Sequence, residues 1–167
     1  GDTIADLNNS GSSDTSDAGI AAIRANAVAL KNAGIDILMA NAGELSLTVP
    51  QVKAVTGVGD TTPLLRLEPT DNVLSTIRIT DSVADLDYLS NFSVSLKNAG
   101  IDQIAAADGA RGFSMSVTQL SRLLSASTSG LAISSSDTVS LSITNASDLA
   151  YVISNAGVIR EFNIDAI

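Results

Sequence analysis

The sequence predicts an α/β fold assembled as a tandem-repeat, solenoid-like array of units of about 63–66 residues. The first observation behind this is a seven-residue string. Leu30-Lys31-Asn32-Ala33-Gly34-Ile35-Asp36 returns unchanged as Leu96-Lys97-Asn98-Ala99-Gly100-Ile101-Asp102, 66 residues later. The second is a diverged third copy: Asp85-Leu86-Asp87-Tyr88-Leu89 matches Asp148-Leu149-Ala150-Tyr151-Val152 at a spacing of 63. That spacing also carries Ile101-Asp102-Gln103-Ile104 onto Ile164-Asp165-Ala166-Ile167. The third is the alternation of helix-period and strand-like apolar patterns inside each copy. The organisation that follows is a preceding unit's tail or a linker over residues 1–16, a first unit over 17–80 and a second over 81–144. A partial or capping third unit covers 145–167, and all form one continuous array.

Each unit reads as long helix, strand, strand, short helix, strand and strand. In the second unit, Asp81 and Ser82 suit a helix N-terminus, and Asp85 adds negative charge to the first turn. Leu86, Leu89, Phe92, Ser93, Leu96 and Ala99 then share one face, and Gly100 is placed to end the helix in the left-handed conformation. The same wheel fits Ile20, Ile23, Ala27, Leu30 and Ala33 before Gly34. It fits again Leu149, Val152, Ala156, Ile159 and Phe162 before Asn163. Apolar runs over 35–39, 101–105 and 164–167 follow as buried strands. Turns at Asn41-Ala42-Gly43 and Asp108-Gly109 lead into alternating strands, with Leu45 and Leu47, or Phe113 and Met115, on one side. Thr48…Gln51 and Ser116…Gln119 are capping boxes for the short helix, in which Pro50 sits early enough to do no harm. Val117, Leu120, Leu123 and Leu124 make its apolar face. Strands over 64–67 with 73–79, and over 131–133 with 139–143, close the units. Burying about six aliphatic side chains yields on the order of 10–15 kcal/mol gross. The ordering entropy of some 60 residues exceeds this, so units are expected to share their cores with neighbours.

Composition removes most chemistry. Apolar residues are 45% of the chain, enough for a packed core, and the net charge is −9. That balance argues against nucleic acid and against anionic lipid. With no His and no Cys, the usual triads, dyads and transition-metal sites are excluded. No apolar run is long enough to span a bilayer, and no phosphate-binding loop occurs. Lys31 and Lys97 occupy equivalent places on polar helix faces, which does not suit a catalytic residue, and the chain is expected not to be an enzyme. Asp36, Asp102 and Asp165 hold one place in three copies. Asp71 and Asp137 hold a second, with Asp2 as a further copy of it. Carboxylates stacked in register are candidate calcium ligands, and calcium is the one candidate cofactor. Asp also recurs because it forms turns well. Residues 8–17 are rich in oxygen donors and read as a linker, while Tyr88 and Tyr151 read as a packed ridge or a glycan platform. The longer turn at Asp108-Gly109-Ala110-Arg111-Gly112 is length variation or a binding loop.

Ser82-Val83-Ala84-Asp85-Leu86-Asp87-Tyr88-Leu89 followed by Leu96-Lys97-Asn98-Ala99-Gly100-Ile101-Asp102-Gln103-Ile104 resembles the helix-strand tandem repeats of very large secreted bacterial proteins. These are adhesins, surface-layer components and type I secretion substrates. The resemblance implies an extracellular, cell-surface location and a structural or adhesive role. It implies as partners neighbouring repeats of the same protein, further copies, or a glycan or surface polymer. It brings no catalytic residues. A calcium- or glycan-binding module using the acidic turns is the alternative expectation.

Overall fold

The computed structural model describes residues 17–40, 45–69, 75–79, 83–107, 112–125, 131–162 and 164–166. The fold is mixed α/β with parallel sheets. Its elements, in order, are α1 (Asp17–Asn32), β1 (Ile37–Ala40), β2 (Leu45–Thr48), α2 (Val49–Thr56), β3 (Arg66–Pro69) and β4 (Ser75–Ile79). Then follow α3 (Val83–Asn98), β5 (Gln103–Ala106), β6 (Gly112–Ser116), α4 (Val117–Ser125), β7 (Ala132–Ile133) and β8 (Thr138–Ser142). The last are α5 (Ala146–Ser154), α6 (Ala156–Glu161) and β9 (Ile164–Ala166). Hydrogen-bonded strands are ordered β1-β3, β2-β4-β5-β7 and β6-β8-β9. The pairs β1–β3, β5–β7, β6–β8 and β8–β9 are all parallel.

Two compact units divide the chain: residues 1–77 with 95–102, and residues 78–94 with 103–167. In the first, α1 packs on α2, and Ile23, Ala27, Val52, Val55, Leu45, Leu47 and Leu67 are buried. Thr48 heads α2. Its N–H and hydroxyl both donate to Gln51 Oε1, at 2.9 and 3.1 Å, and Pro50 occupies the first turn. Gly57 ends α2 at φ +67°, its N–H donating to Lys53 O at 2.9 Å.

In the second unit, Phe113 and Met115 of β6, Val139 and Leu141 of β8, and Val117, Leu120, Leu123 and Leu124 of α4 are all buried. The capping box of α4 is reciprocal: Ser116 N–H donates to Gln119 Oε1 at 2.8 Å, and Gln119 N–H to Ser116 Oγ at 3.2 Å. Gln119 Nε2 also donates to Asp87 Oδ1 on α3 at 2.9 Å, tying the short helix to the long one. Asn145 caps α5 by accepting from Asp148 N–H at 2.9 Å, and Asp148 Oδ2 accepts from Thr144 N–H and Oγ1–H at 2.9 and 2.7 Å. These donors, the Thr144 hydroxyl foremost, hold the Asp148 carboxyl below its ordinary value.

The structure differs from the sequence expectation at several places. The strand expected over 64–67 runs over Arg66–Pro69 instead, because Leu64 and Leu65 donate their N–H groups back to Thr56 O and Val55 O at the end of α2. The long helix α3 is interrupted at Phe92, whose backbone is non-helical. The strands after the long helices start at Ile37 and Gln103, two residues later than the apolar runs suggest. Ile35 and Ile101 are consumed by the turn that closes the helix, since each donates its N–H back to Leu30 or Leu96. The third helix is broken into α5 and α6 at Asn155, and its expected apolar face is not covered throughout. Val152 and Ile159 are buried, whereas Leu149 is 47% exposed and Ala156 is exposed.

Candidate functional site

The string that repeats in sequence builds one local structure twice. After α1, Gly34 N–H donates to Lys31 O and Ile35 N–H to Leu30 O, both at 3.0 Å. After α3, Gly100 N–H donates to Lys97 O and Ile101 N–H to Leu96 O, both also at 3.0 Å. Gly34 and Gly100 sit at φ +82° and +90°. This is the Schellman arrangement, which satisfies the last carbonyls of a helix and needs a residue at ease with positive φ. In each copy the lysine one residue before the Asn reaches over the turn to the aspartate five residues on. Lys31 Nζ pairs with Asp36 Oδ1. Lys97 Nζ pairs with Asp102 Oδ1 at 3.0 Å.

Beyond this shared frame the two copies have different surroundings. Asp102 Oδ2 accepts Ser75 N–H at 3.0 Å, and Asp102 N–H donates to Ser75 O at 2.9 Å. The carboxylate thus mimics a strand partner at the head of the sheet, and its side chain is only 27% exposed. Leu67 N–H donates to Ala99 O at 2.8 Å. A Cβ on Gly100 would lie 1.6 Å from Leu67 O, so this close passage of backbone requires glycine. At Gly34 a Cβ would meet nothing within 4 Å, and the Asp36 side chain is 65% exposed.

The remaining sequence-predicted site residues are placed as follows. Asp137 Oδ2 accepts Ala106 N–H at 2.8 Å, again linking a carboxylate to a strand backbone. Asp71 lies outside the described residues, as do the turns at 41–43 and 108–111 and the oxygen-rich stretch over 8–16. Asp165 is in β9, and its side chain lies outside the description. Among the described residues no three His, Cys, Asp or Glu side chains gather as a metal site. Tyr88 is buried and meets Phe92 at a ring-centroid distance of 5.2 Å, a packed contact within α3. Burial pushes the Tyr151 phenol above its ordinary value.

The helical wheel places Lys31 and Lys97 on a polar face and the turn pattern places the aspartates in turns, but neither pattern shows that they pair with each other. The signal was in the string itself: a Schellman glycine between Lys and Asp folds the chain back so that positions five apart meet. Among the described residues no helix is long and apolar enough to cross a membrane. Comparison with protein-family models, with curated proteins and with solved structures finds no match for this chain.

Proposed function

We propose that this chain is a non-enzymatic structural or adhesive repeat module of a secreted or cell-surface bacterial protein. It acts by stacking its units and by associating through exposed edges with neighbouring modules or copies. The observation that carries the reading is that backbone geometry recurs at the sequence period. α1 and α3 span 17–32 and 83–98, offset by 66, and α5 with α6 spans 146–161, offset from α3 by 63. Phe92 (φ −116°, ψ 15°) and Asn155 (φ −115°, ψ 15°) interrupt their helices at equivalent positions with the same backbone conformation. The register Ile37↔Arg66 of β1–β3 returns as Gln103↔Ala132 in β5–β7, again offset by 66. Recurrence of this kind supports a tandem array in which each unit completes its neighbour. The acidic, lysine-poor, cysteine-free composition is compatible with an extracellular location.

The test is to insert one whole period. In a chain carrying residues 82–144 twice in tandem, an array keeps its far-UV dichroism per residue, unfolds in one transition and melts no lower than the parent. Aggregation or loss of the cooperative transition overturns the reading.

The alternative is a calcium- or glycan-binding module that uses Asp36, Asp71, Asp102, Asp137 and Asp165, and its support is the recurrence of those residues. Three of them already have protein partners, Lys31, Lys97 with Ser75, and Ala106. Millimolar calcium, measured against a chelator control, is therefore expected to move Tm by less than about 1 °C. Binding to the folded state alone at 100-fold over Kd would contribute about 2.7 kcal/mol. A rise of several degrees would transfer these aspartates to the calcium reading.

A further inference from the structure

We infer that the open side of β1, together with the helix turn at Gly34, is a docking surface for a strand pair of the β3–β4 kind supplied by another unit of this type. The inference rests on the array reading and names the partner and the contacts of one exposed edge. Among the described residues β1 pairs with β3 alone, whereas β5, its counterpart 66 residues on, lies inside a four-stranded sheet. Side chains report the same difference. Leu96, Ile101 and Ile104 are each 0% exposed. Their counterparts Leu30 and Leu38 are half-buried, and Ile35 is 41% exposed. Among the described residues the identical heptapeptide is therefore covered in one copy and more exposed in the other.

The covered copy shows what the cover is. The backbone of Leu67 on β3 passes over Gly100 and bonds Ala99, and Ser75 at the head of β4 exchanges backbone and carboxylate hydrogen bonds with Asp102. Every group that receives this cover has an equivalent in the first copy. Gly34 has the empty space for a passing carbonyl, Ala33 the helix-end C=O, and Asp36 the N–H and the exposed carboxylate. The exposed Ile35 and Ile37 supply apolar area, at 41% and 42% exposure. The partner is thus two short consecutive strands. The first lays its backbone on Gly34, and the second pairs its leading residue with Asp36. This is strand addition to an open sheet edge.

The probe is a synthetic peptide of residues 64–80, titrated into the full chain and followed by calorimetry and amide hydrogen exchange. Saturable binding with Kd below about 1 mM is expected, with slowed exchange over 35–38. Gly34→Asn is expected to weaken it at least tenfold, because any Cβ there blocks the passing carbonyl. That variant should stay folded, since Asn tolerates left-handed backbone and Asn163 stands at the corresponding place in the third copy. Absence of binding, or equal binding by Gly34→Asn, overturns the inference. Self-association of the chain that Gly34→Asn abolishes but that the 64–80 peptide does not compete also overturns it, by assigning the surface to another segment of a second copy. If the chain with a tandem insertion folds but the peptide fails, the docking inference alone falls. If the insertion fails, the array reading falls with it.

Discussion

Gly100→Ala is expected to lower Tm by roughly 10 °C or more, and Gly34→Ala by roughly 2–8 °C, although the two glycines sit in identical heptapeptides. Both pay for a left-handed backbone, at φ +90° and +82°, which costs about 1–2 kcal/mol for a residue with a Cβ. The rest of the difference comes from what surrounds them. A Cβ on Gly100 would lie 1.6 Å from Leu67 O and 2.6 Å from Leu67 C. Backbone cannot yield as a flexible side-chain tip does. Relief requires moving β3 away and giving up the Leu67 N–H to Ala99 O bond of 2.8 Å. With the buried Leu67 side chain displaced as well, the total reaches about 4 kcal/mol, at the exceptional end of single substitutions. Each kcal/mol is worth roughly 2–4 °C for a chain of this size. At Gly34 nothing lies within 4 Å of the added atom, so only the conformational term remains. Thermal and urea unfolding of the two variants reads the difference directly. Equal losses would mean that β3 does not pass over Gly100 as described.

The contrast between these glycines marks how much of the molecule is legible in its sequence. The helix-ending turns were legible because Gly34 and Gly100 close amphipathic stretches, and a helix that ends there has few other ways to satisfy its carbonyls. The short helices were legible through Thr48…Gln51 and Ser116…Gln119, which make the capping contacts expected of them. Alternation of Leu45 with Leu47, and of Phe113 with Met115, placed those side chains correctly in the core. Strand starts were misread because Ile35 and Ile101 are apolar for the turn's sake, donating back to Leu30 and Leu96 instead of opening a ladder. The break at Asn155 was missed because Val152 and Ile159 continue the helical spacing across it. The local string could not reveal which copy is covered. Seven identical residues carry identical local information, and coverage is decided by residues such as Leu67 and Ser75 far along the chain.

Leu96→Ala is expected to cost about 2–5 kcal/mol, the range for deleting a large side chain from a closed core, and Leu30→Ala about 1–2 kcal/mol. The comparison is controlled by the sequence itself. Both leucines stand two residues before the end of a 16-residue helix and accept the N–H of the isoleucine five residues on, at 3.0 Å. Propensity changes and the loss of turn geometry therefore cancel between the two variants. What does not cancel is the environment, because Leu96 is 0% exposed while Leu30 is half-buried. At Leu96 the truncation leaves a void enclosed by neighbours held at fixed spacing, and both transfer and cavity terms apply. At Leu30 water reaches the shortened side chain and no cavity is sealed. Urea unfolding of the two variants should separate them by a factor of about two or more in the free energy lost. The same pair reports on the docking surface. Saturating peptide of residues 64–80 should raise the cost of Leu30→Ala toward that of Leu96→Ala and leave the cost of Leu96→Ala unchanged. A cost at Leu30 that already equals that at Leu96 in the free chain would show that the first helix turn is covered without a partner.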